Sequence, residues 1–111
     1  MYGMTLQLPK SQAATVYIVV EAAAGGTIQS NPAIAGADFQ RSIDGGAFAQ
    51  MDSLPTNTRN DNNITIALSA AELAGDGLLI WWADAAGAEW LPGFLSIVTY
   101  DPTAGLRSQG L

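Results

Sequence analysis

The chain has 111 residues with 10 acidic and 4 basic side chains, and it contains no cysteine and no histidine. This length suits one domain that buries a core without disulfides or metal. The missing residue types remove the commonest general base and the usual zinc ligands. A net charge of −6 disfavours nucleic-acid binding, which depends on cationic contacts to phosphate. No apolar run approaches the ~20 residues of a membrane helix.

Short strands separated by turns follow one another along the chain. Apolar and polar residues alternate in several runs, and Gly, Pro, Asn and Asp punctuate the gaps between them. The first run stops at Pro9, which suits an edge strand. In chain order, the predicted strands are residues 4–8, 15–22, 37–43, 47–51, 64–68, 78–84 and 94–100.

The second run, TVYIVVEA at residues 15–22, is the clearest strand in the sequence. Its alternation predicts that Val16, Ile18 and Val20 face the core. The third and fourth runs flank Asp44-Gly45-Gly46. Because Asp and Gly tolerate the positive φ of tight hairpin turns, these two runs predict a β-hairpin.

The fifth run leads into a capping box. Ser69 and Glu72 have the spacing at which each side chain accepts a hydrogen bond from the other residue's backbone N–H. This predicts one short helical turn near residues 69–74. The polar residues 52–63 before the fifth run predict an exposed loop or a poorly paired edge.

About seven short strands with frequent turns and no long helix predict an all-β antiparallel sandwich. A small barrel is the main alternative. We expect a single sandwich domain over residues 1–103, followed by an extended C-terminal tail at residues 104–111.

Residues 64–87, ITIALSAAELAGDGLLIWWADAAG, resemble the region of strand E, a short turn and strand F in immunoglobulin-like domains. Ile80 and Trp82 stand where antibody-type domains carry a tyrosine and a cysteine, so the tyrosine corner and the disulfide are absent. The hairpin motif DGGAF and the later LSAAEL extend the resemblance. Residues 37–100 look like small immunoglobulin-like modules in virion proteins of tailed bacteriophages. The resemblance covers a little over half the chain and implies a fold and a setting, without catalytic residues.

Two adjacent tryptophans in the sixth run cannot both enter one core, because strand side chains alternate between two faces. The immunoglobulin-like register places Trp82 inward, with Leu78 and Ile80, and sends Trp81 outward with Leu79. If Asp84 is instead taken as an outward residue, the alternation places Trp81 inward and Trp82 outward. In either case one indole lies on the far face, where an exposed apolar patch marks a contact surface. The alternative is that residues 52–63 or the tail cover it.

Candidate sites for chemistry are few. Asp84 and Glu89 flank one turn and could form a carboxylate pair of the glycosidase type, although two solvated loop acids are the simpler interpretation. Asp61 with its neighbouring asparagines at 60, 62 and 63 offers oxygen ligands for calcium, but lacks the Gly and distal Glu of an EF-hand loop. Lys10 has no evident partner. We therefore expect no catalytic residue, no cofactor and no metal.

The leading hypothesis is a non-enzymatic structural protein of a tailed-phage virion, a capsid decoration or cement subunit. Its partners would be other virion subunits, major capsid or tail proteins, and copies of itself, with no nucleic acid and no membrane. A tail or baseplate accessory subunit is an alternative, and so is a carbohydrate-binding module that uses exposed tryptophan. The candidate interface residues are Leu79, Trp81, Trp90, Leu106, Arg107 and Leu111.

Overall fold

The computed structural model describes residues 2–30, 32–57, 63–84, 87 and 89–101. These residues form seven strands and no helix. They contain no helix that is long and apolar enough to span a membrane. In chain order, the strands are β1 (Tyr2–Pro9), β2 (Ala14–Ile18), β3 (Phe39–Ile43), β4 (Ala49–Gln50), β5 (Ile64–Leu68), β6 (Gly77–Trp82) and β7 (Gly93–Tyr100).

The strands form two sheets, as predicted for a sandwich. The larger sheet has the order β1-β7-β6-β3-β4, and the smaller one pairs β2 with β5. Strand β1 lies at an edge, as Pro9 predicted, but it runs parallel to β7, whereas all the other pairs are antiparallel. A parallel pair needs a long connection, which the rest of the domain supplies between the first and last strands. The expectation of a wholly antiparallel fold is therefore wrong at this pair.

The core lies between the two sheets and follows the predicted alternation. Val16, Ile18 and Val20 are buried, while Tyr17 on the opposite face is exposed. The inward residues of β6 and β7 are also buried. The core cluster consists of Val16, Ile18, Val20, Phe39, Met51, Ile64, Ile66, Leu68, Leu73, Leu78, Ile80, Trp82, Trp90, Leu95 and Ile97.

Strand β6 separates the two adjacent indoles. Trp82 is 0% exposed and stacks on Phe39 of β3, with ring centroids 5.6 Å apart. Trp81 points to the outer face of the larger sheet and is only partly buried. The predicted parity with Trp82 inward is thus correct, and the reverse parity counted from Asp84 is wrong.

The Asp44-Gly45-Gly46 hairpin has the predicted turn. Asp44 and Gly45 have φ values of 52° and 75°, and the N–H of Gly46 donates to the carbonyl oxygen of Ile43 at 2.9 Å. Two positive φ values at the central positions define a type I′ turn. Asp44 Oδ1 also accepts hydrogen bonds from the N–H groups of Asp76 and Gly77, at 2.7 and 2.9 Å. The turn therefore also fixes the start of β6.

The capping box forms without a helix. Ser69 N donates to Glu72 Oε1 at 3.0 Å, and Glu72 N donates to Ser69 Oγ at 3.1 Å. Leu73 N then donates to the carbonyl oxygens of Ser69 and Ala70, which makes a single hydrogen-bonded turn. No helix develops because residues 69–76 must carry the chain from β5 in one sheet to β6 in the other.

We expect Trp82→Ala to lower the free energy of unfolding by about 3–5 kcal/mol, because it removes a fully buried ring and leaves a cavity beside Phe39. The matched change Trp81→Ala, one residue away and outward-facing, should cost about 1 kcal/mol. Urea unfolding followed by circular dichroism measures both. Equal losses for the two variants would contradict the assigned faces.

Candidate functional site

The candidate site is the outer face of the larger sheet, which we define as the outward-facing residues of β1, β7, β6 and β3. Successive strands align these residues in rows across the sheet, and each row is uncharged. The rows are Gly3–Phe94–Trp81–Gln40, Thr5–Ser96–Leu79–Ser42 and Gln7–Val98–Gly77.

An aromatic ridge, formed by Trp81 and Phe94, crosses one end of this face. The two residues are directly opposite each other on β6 and β7, where cross-strand side chains meet. The ring of Phe94 lies over Gly3, so that a Cβ at Gly3 would overlap the ring. Both rings remain only partly buried. The glycine in β1 therefore lets one ring lie flat over the edge strand.

A small-residue depression lies on the same face, further along the strands. Glycine has no side chain and serine has a small one, so these residues leave room between the bulkier Leu79 and Val98. The side chain of Val98 is 48% exposed. The depression has a volume of about 240 Å³. Its outward-facing lining residues are Ser42, Gly77, Leu79, Ser96 and Val98, with Asp44 and Gly45 of the hairpin turn at one end.

The charges of the described residues lie almost entirely outside the strands. Arg41 is the exception among the strand residues that the structure describes, and its side chain reaches the buried Glu72 rather than the outer face. Covering the strand rows of the outer face with another molecule would thus remove no ionised group from water, whereas filling the depression would also cover Asp44 at its end. Such a surface avoids the large desolvation cost of burying charge.

The predicted interface residues have different positions in the structure. Leu79 and Trp81 lie on the outer face, as expected. Trp90 is 3% exposed and belongs to the core, so its expected place on the surface is wrong. Leu106, Arg107 and Leu111 lie outside the described residues.

A non-local pairing explains the burial of Trp90. Ala22 bridges to Trp90, Leu91 N donates to the carbonyl oxygen of Glu21, and Ala23 N donates to that of Glu89, both at 2.8 Å. These contacts draw the segment around Trp90 onto the end of the sandwich. The residues around Pro92 do not reveal this pairing in the sequence, because the residues that bond the segment of Trp90 are far away along the chain.

Sequence reasoning missed two members of the outer face, Phe94 and Val98. The alternation of FLSIVTY indicated that one set of its residues faces outward. Because Trp81 pairs with Phe94 in the β6–β7 register, an outward Trp81 means an outward Phe94. Deriving that pairing requires the strand order, which the sequence alone left open.

A polar cluster at the edge of the core joins Arg41, Asp52, Ser69 and Glu72. Glu72 is 1% exposed, and its Oε2 accepts from Arg41 Nε at 3.2 Å and from Asp52 N at 3.1 Å. Arg41 Nη2 also donates to Asp52 at 3.1 Å, and Ser69 Oγ donates to Asp52 at 2.6 Å. The carboxylate of Glu72 thus ties two turns and a strand together, which is a structural use of a buried acid.

Two groups in this polar cluster have perturbed ionisation. The hydroxyl of Ser69, followed by the guanidinium of Arg41, lowers the pKa of Asp52 below its ordinary value. The hydrogen bond to Asp52 raises the pKa of Arg41. Both shifts favour the charged forms and hence the ion pair.

The carboxylates proposed for chemistry hold backbone groups. Asp84 accepts hydrogen bonds from Gly87 N at 2.8 Å and Glu89 N at 2.6 Å, and Glu89 Oε1 accepts one from Ala33 N at 3.1 Å. Asp84 therefore organises the turn that follows it, and Glu89 fixes the distant segment at Ala33.

The other candidates are a lysine and a loop. Lys10 has a partner after all, since its Nζ lies 2.6 Å from Asp76 Oδ1, and this contact raises the pKa of Lys10 and lowers that of Asp76. Of the calcium candidates, residues 60–62 lie outside the described residues. Within the described part of the chain, no three acidic side chains gather as a metal site would require.

No protein-family model matches the chain, and no curated protein is detectably similar to it in sequence. Function is therefore inferred from the outer face and from the motifs of the hairpin and the capped turn.

We expect Glu72→Ala to lower the free energy of unfolding by about 3–5 kcal/mol, because it leaves Arg41 without its buried partner and two backbone N–H groups without their acceptor. Asp76→Ala, which removes an acid paired on the surface with Lys10, is the control and should have little effect. Urea unfolding distinguishes them. A small loss for Glu72→Ala would contradict a structural role.

We expect stability to fall as the pH drops below about 4. Asp52 has a lowered pKa in the folded chain, so the unfolded chain takes up the proton first and stability is lost as the pH falls through the folded value. Asp52→Asn should be less stable than the parent at neutral pH and lose less on acidification. Urea unfolding over a pH series measures this; parallel curves for parent and variant would contradict the assignment.

Proposed function

We propose that the protein is a non-enzymatic structural subunit of a tailed-bacteriophage virion that binds neighbouring virion proteins through the outer face of the larger sheet. The observation that carries the binding part is the uncharged surface around Leu79, Trp81 and Phe94, whose side chains stay partly accessible in the isolated chain. Contiguous apolar surface of this kind typically marks a protein contact.

The setting in a phage particle rests on the resemblance of residues 37–100. Its two motifs have definite structural roles: Asp44-Gly45 forms a type I′ turn, and Ser69 and Glu72 form a capping box. The strand grouping supports an immunoglobulin-like class, because β3, β6 and β7 share one sheet while β2 and β5 share the other, like strands C, F, G and B, E of that class.

A decoration or cement subunit is the role that this surface suits best. Such a subunit has to cover the surfaces of neighbours rather than enclose a substrate. A broad sheet face whose neighbouring charges lie in turns is suited to this contact. A tail or baseplate accessory subunit would use the same face, and the two roles differ in the particle component that is bound.

Purified phage particles from the genome that encodes this chain provide the test. Mass spectrometry should detect the chain in the particles, and cryo-electron microscopy should show head or tail density that accommodates the sandwich with its outer face towards a neighbour. Absence of the chain from purified particles would overturn the proposal.

A variant pair tests the face itself. Added to particles that lack the subunit, the chain with Trp81→Ala should co-sediment at least about tenfold more weakly than the parent, because a tryptophan that becomes buried in an interface often contributes about 2 kcal/mol or more. Tyr17→Ala, which removes an exposed aromatic from the smaller sheet, is the control and should bind normally. Equal binding of parent and Trp81→Ala would contradict this face.

A carbohydrate-binding function is the second candidate, favoured by one observation. Trp81 is partly accessible and has Gln40 directly opposite on β3, which combines an aromatic surface with a hydrogen-bonding amide. Titration calorimetry with a panel of sugars tests it. Binding that Trp81→Ala abolishes and Tyr17→Ala preserves would support it; heats equal to dilution for every sugar would exclude those sugars.

A further inference from the structure

The aromatic ridge and the small-residue depression occupy opposite ends of one face. We propose that the outer face binds the outer face of a second copy of this chain about a two-fold axis, with each ridge in the other copy's depression. This deepens the proposed function by naming a partner, and it depends on the outer face being an interface but not on the virion setting.

The register fixes where the axis passes. The row that contains Leu79 and Ser96 lies midway between the ridge, at Trp81 and Phe94, and the row of Gly77 and Val98. A two-fold axis along the middle row places the second copy with its strands running in the opposite direction. Each strand of one copy then lies over the same strand of the other. Trp81 of one copy then faces Gly77 of the other, which has no side chain, and Phe94 faces Val98. Leu79 and Ser96 each meet their own counterparts near the axis.

The outer face permits contact between two copies despite their equal charge. Each copy carries a net charge of −6, so two copies repel wherever their acidic turns approach. The strand rows of the outer face carry no carboxylate, and Asp44 lies only at one end of the depression. Self-complementarity of this type is what a two-fold interface requires, since one patch serves both partners.

The available area limits the contact. The residues of β1, β7, β6 and β3, at a rise of about 3.3 Å and a strand spacing of about 4.8 Å, give a face of about 430 Å². Two copies would bury about 860 Å² together, which is less than the ~1,000 Å² of a typical specific interface. We therefore expect a weak, reversible dimer that forms only towards the upper end of the micromolar range.

Substitutions at Ser96 test the axis directly. Ser96→Glu brings two carboxylates together and should weaken self-association at least about tenfold, and Ser96→Lys should do the same with two ammonium groups. An equimolar mixture of the two variants should restore the dimer through opposite charges. This restoration would not occur if either variant had lost its fold.

The matched control places the same charge on the other sheet. Thr15 is exposed on β2, on the outer face of the smaller sheet, so Thr15→Glu should leave self-association unchanged. A chain without residues 102–111 should also remain dimeric. Sedimentation velocity from micromolar to millimolar concentration measures the four variants, the mixture and the parent.

Several results would overturn the proposal. A parent that stays monomeric throughout the range would do so, as would a Ser96→Glu variant that dimerises normally or a mixture of the two Ser96 variants that does not associate. A dimer weakened by Thr15→Glu would assign the contact to the smaller sheet, and a dimer lost on removing residues 102–111 would assign the occupant to that segment. A monomer that still binds particles would leave the proposed function intact, whereas a dimer absent from particles would leave only the self-association.

Discussion

The pleat of β6 gives two adjacent tryptophans opposite environments. Both the core between the sheets and the outer face of the larger sheet depend on this alternation. Trp82 fills the space between the sheets and stacks on Phe39, while Trp81 stands on the outer face beside Phe94. A shift of one residue in register would exchange the two faces of the strand. The continuous pairing of β6 with both β3 and β7 prevents that shift.

The acidic residues have a common use that leaves the sheets neutral. Asp44, Glu72 and Asp84 each accept hydrogen bonds from backbone N–H groups. Asp44 and Glu72 thereby connect distant segments, and Asp84 closes its own turn. Charge thus gathers where the chain reverses direction. The consequence is an acidic protein whose described charges lie almost entirely in turns, while the strand rows of its outer face carry none.

Short sequence patterns predicted the turns, the capping box and the core-facing residues. They did not predict contacts between residues that are distant in the sequence. The hairpin at Asp44-Gly45, the capping box at Ser69 and the core face of β2 each depend on a few consecutive residues, and each could be predicted. The parallel pairing of β1, the burial of Trp90 and the partnership of Arg41 with Glu72 join residues far apart in sequence. At the site, alternation placed Leu79 and Trp81, but Phe94 required knowledge of which strand lies beside β6.

The two buried indoles show how the core is stabilised. Trp82 stacks on Phe39, and Trp90 is 3% exposed at the end of the sandwich. Both rings stabilise the folded chain mainly through the apolar area that they remove from water. A molecule that binds only the folded chain raises its stability further by mass action. If the proposed partner covers the outer face, the bound subunit is therefore more stable than the isolated chain.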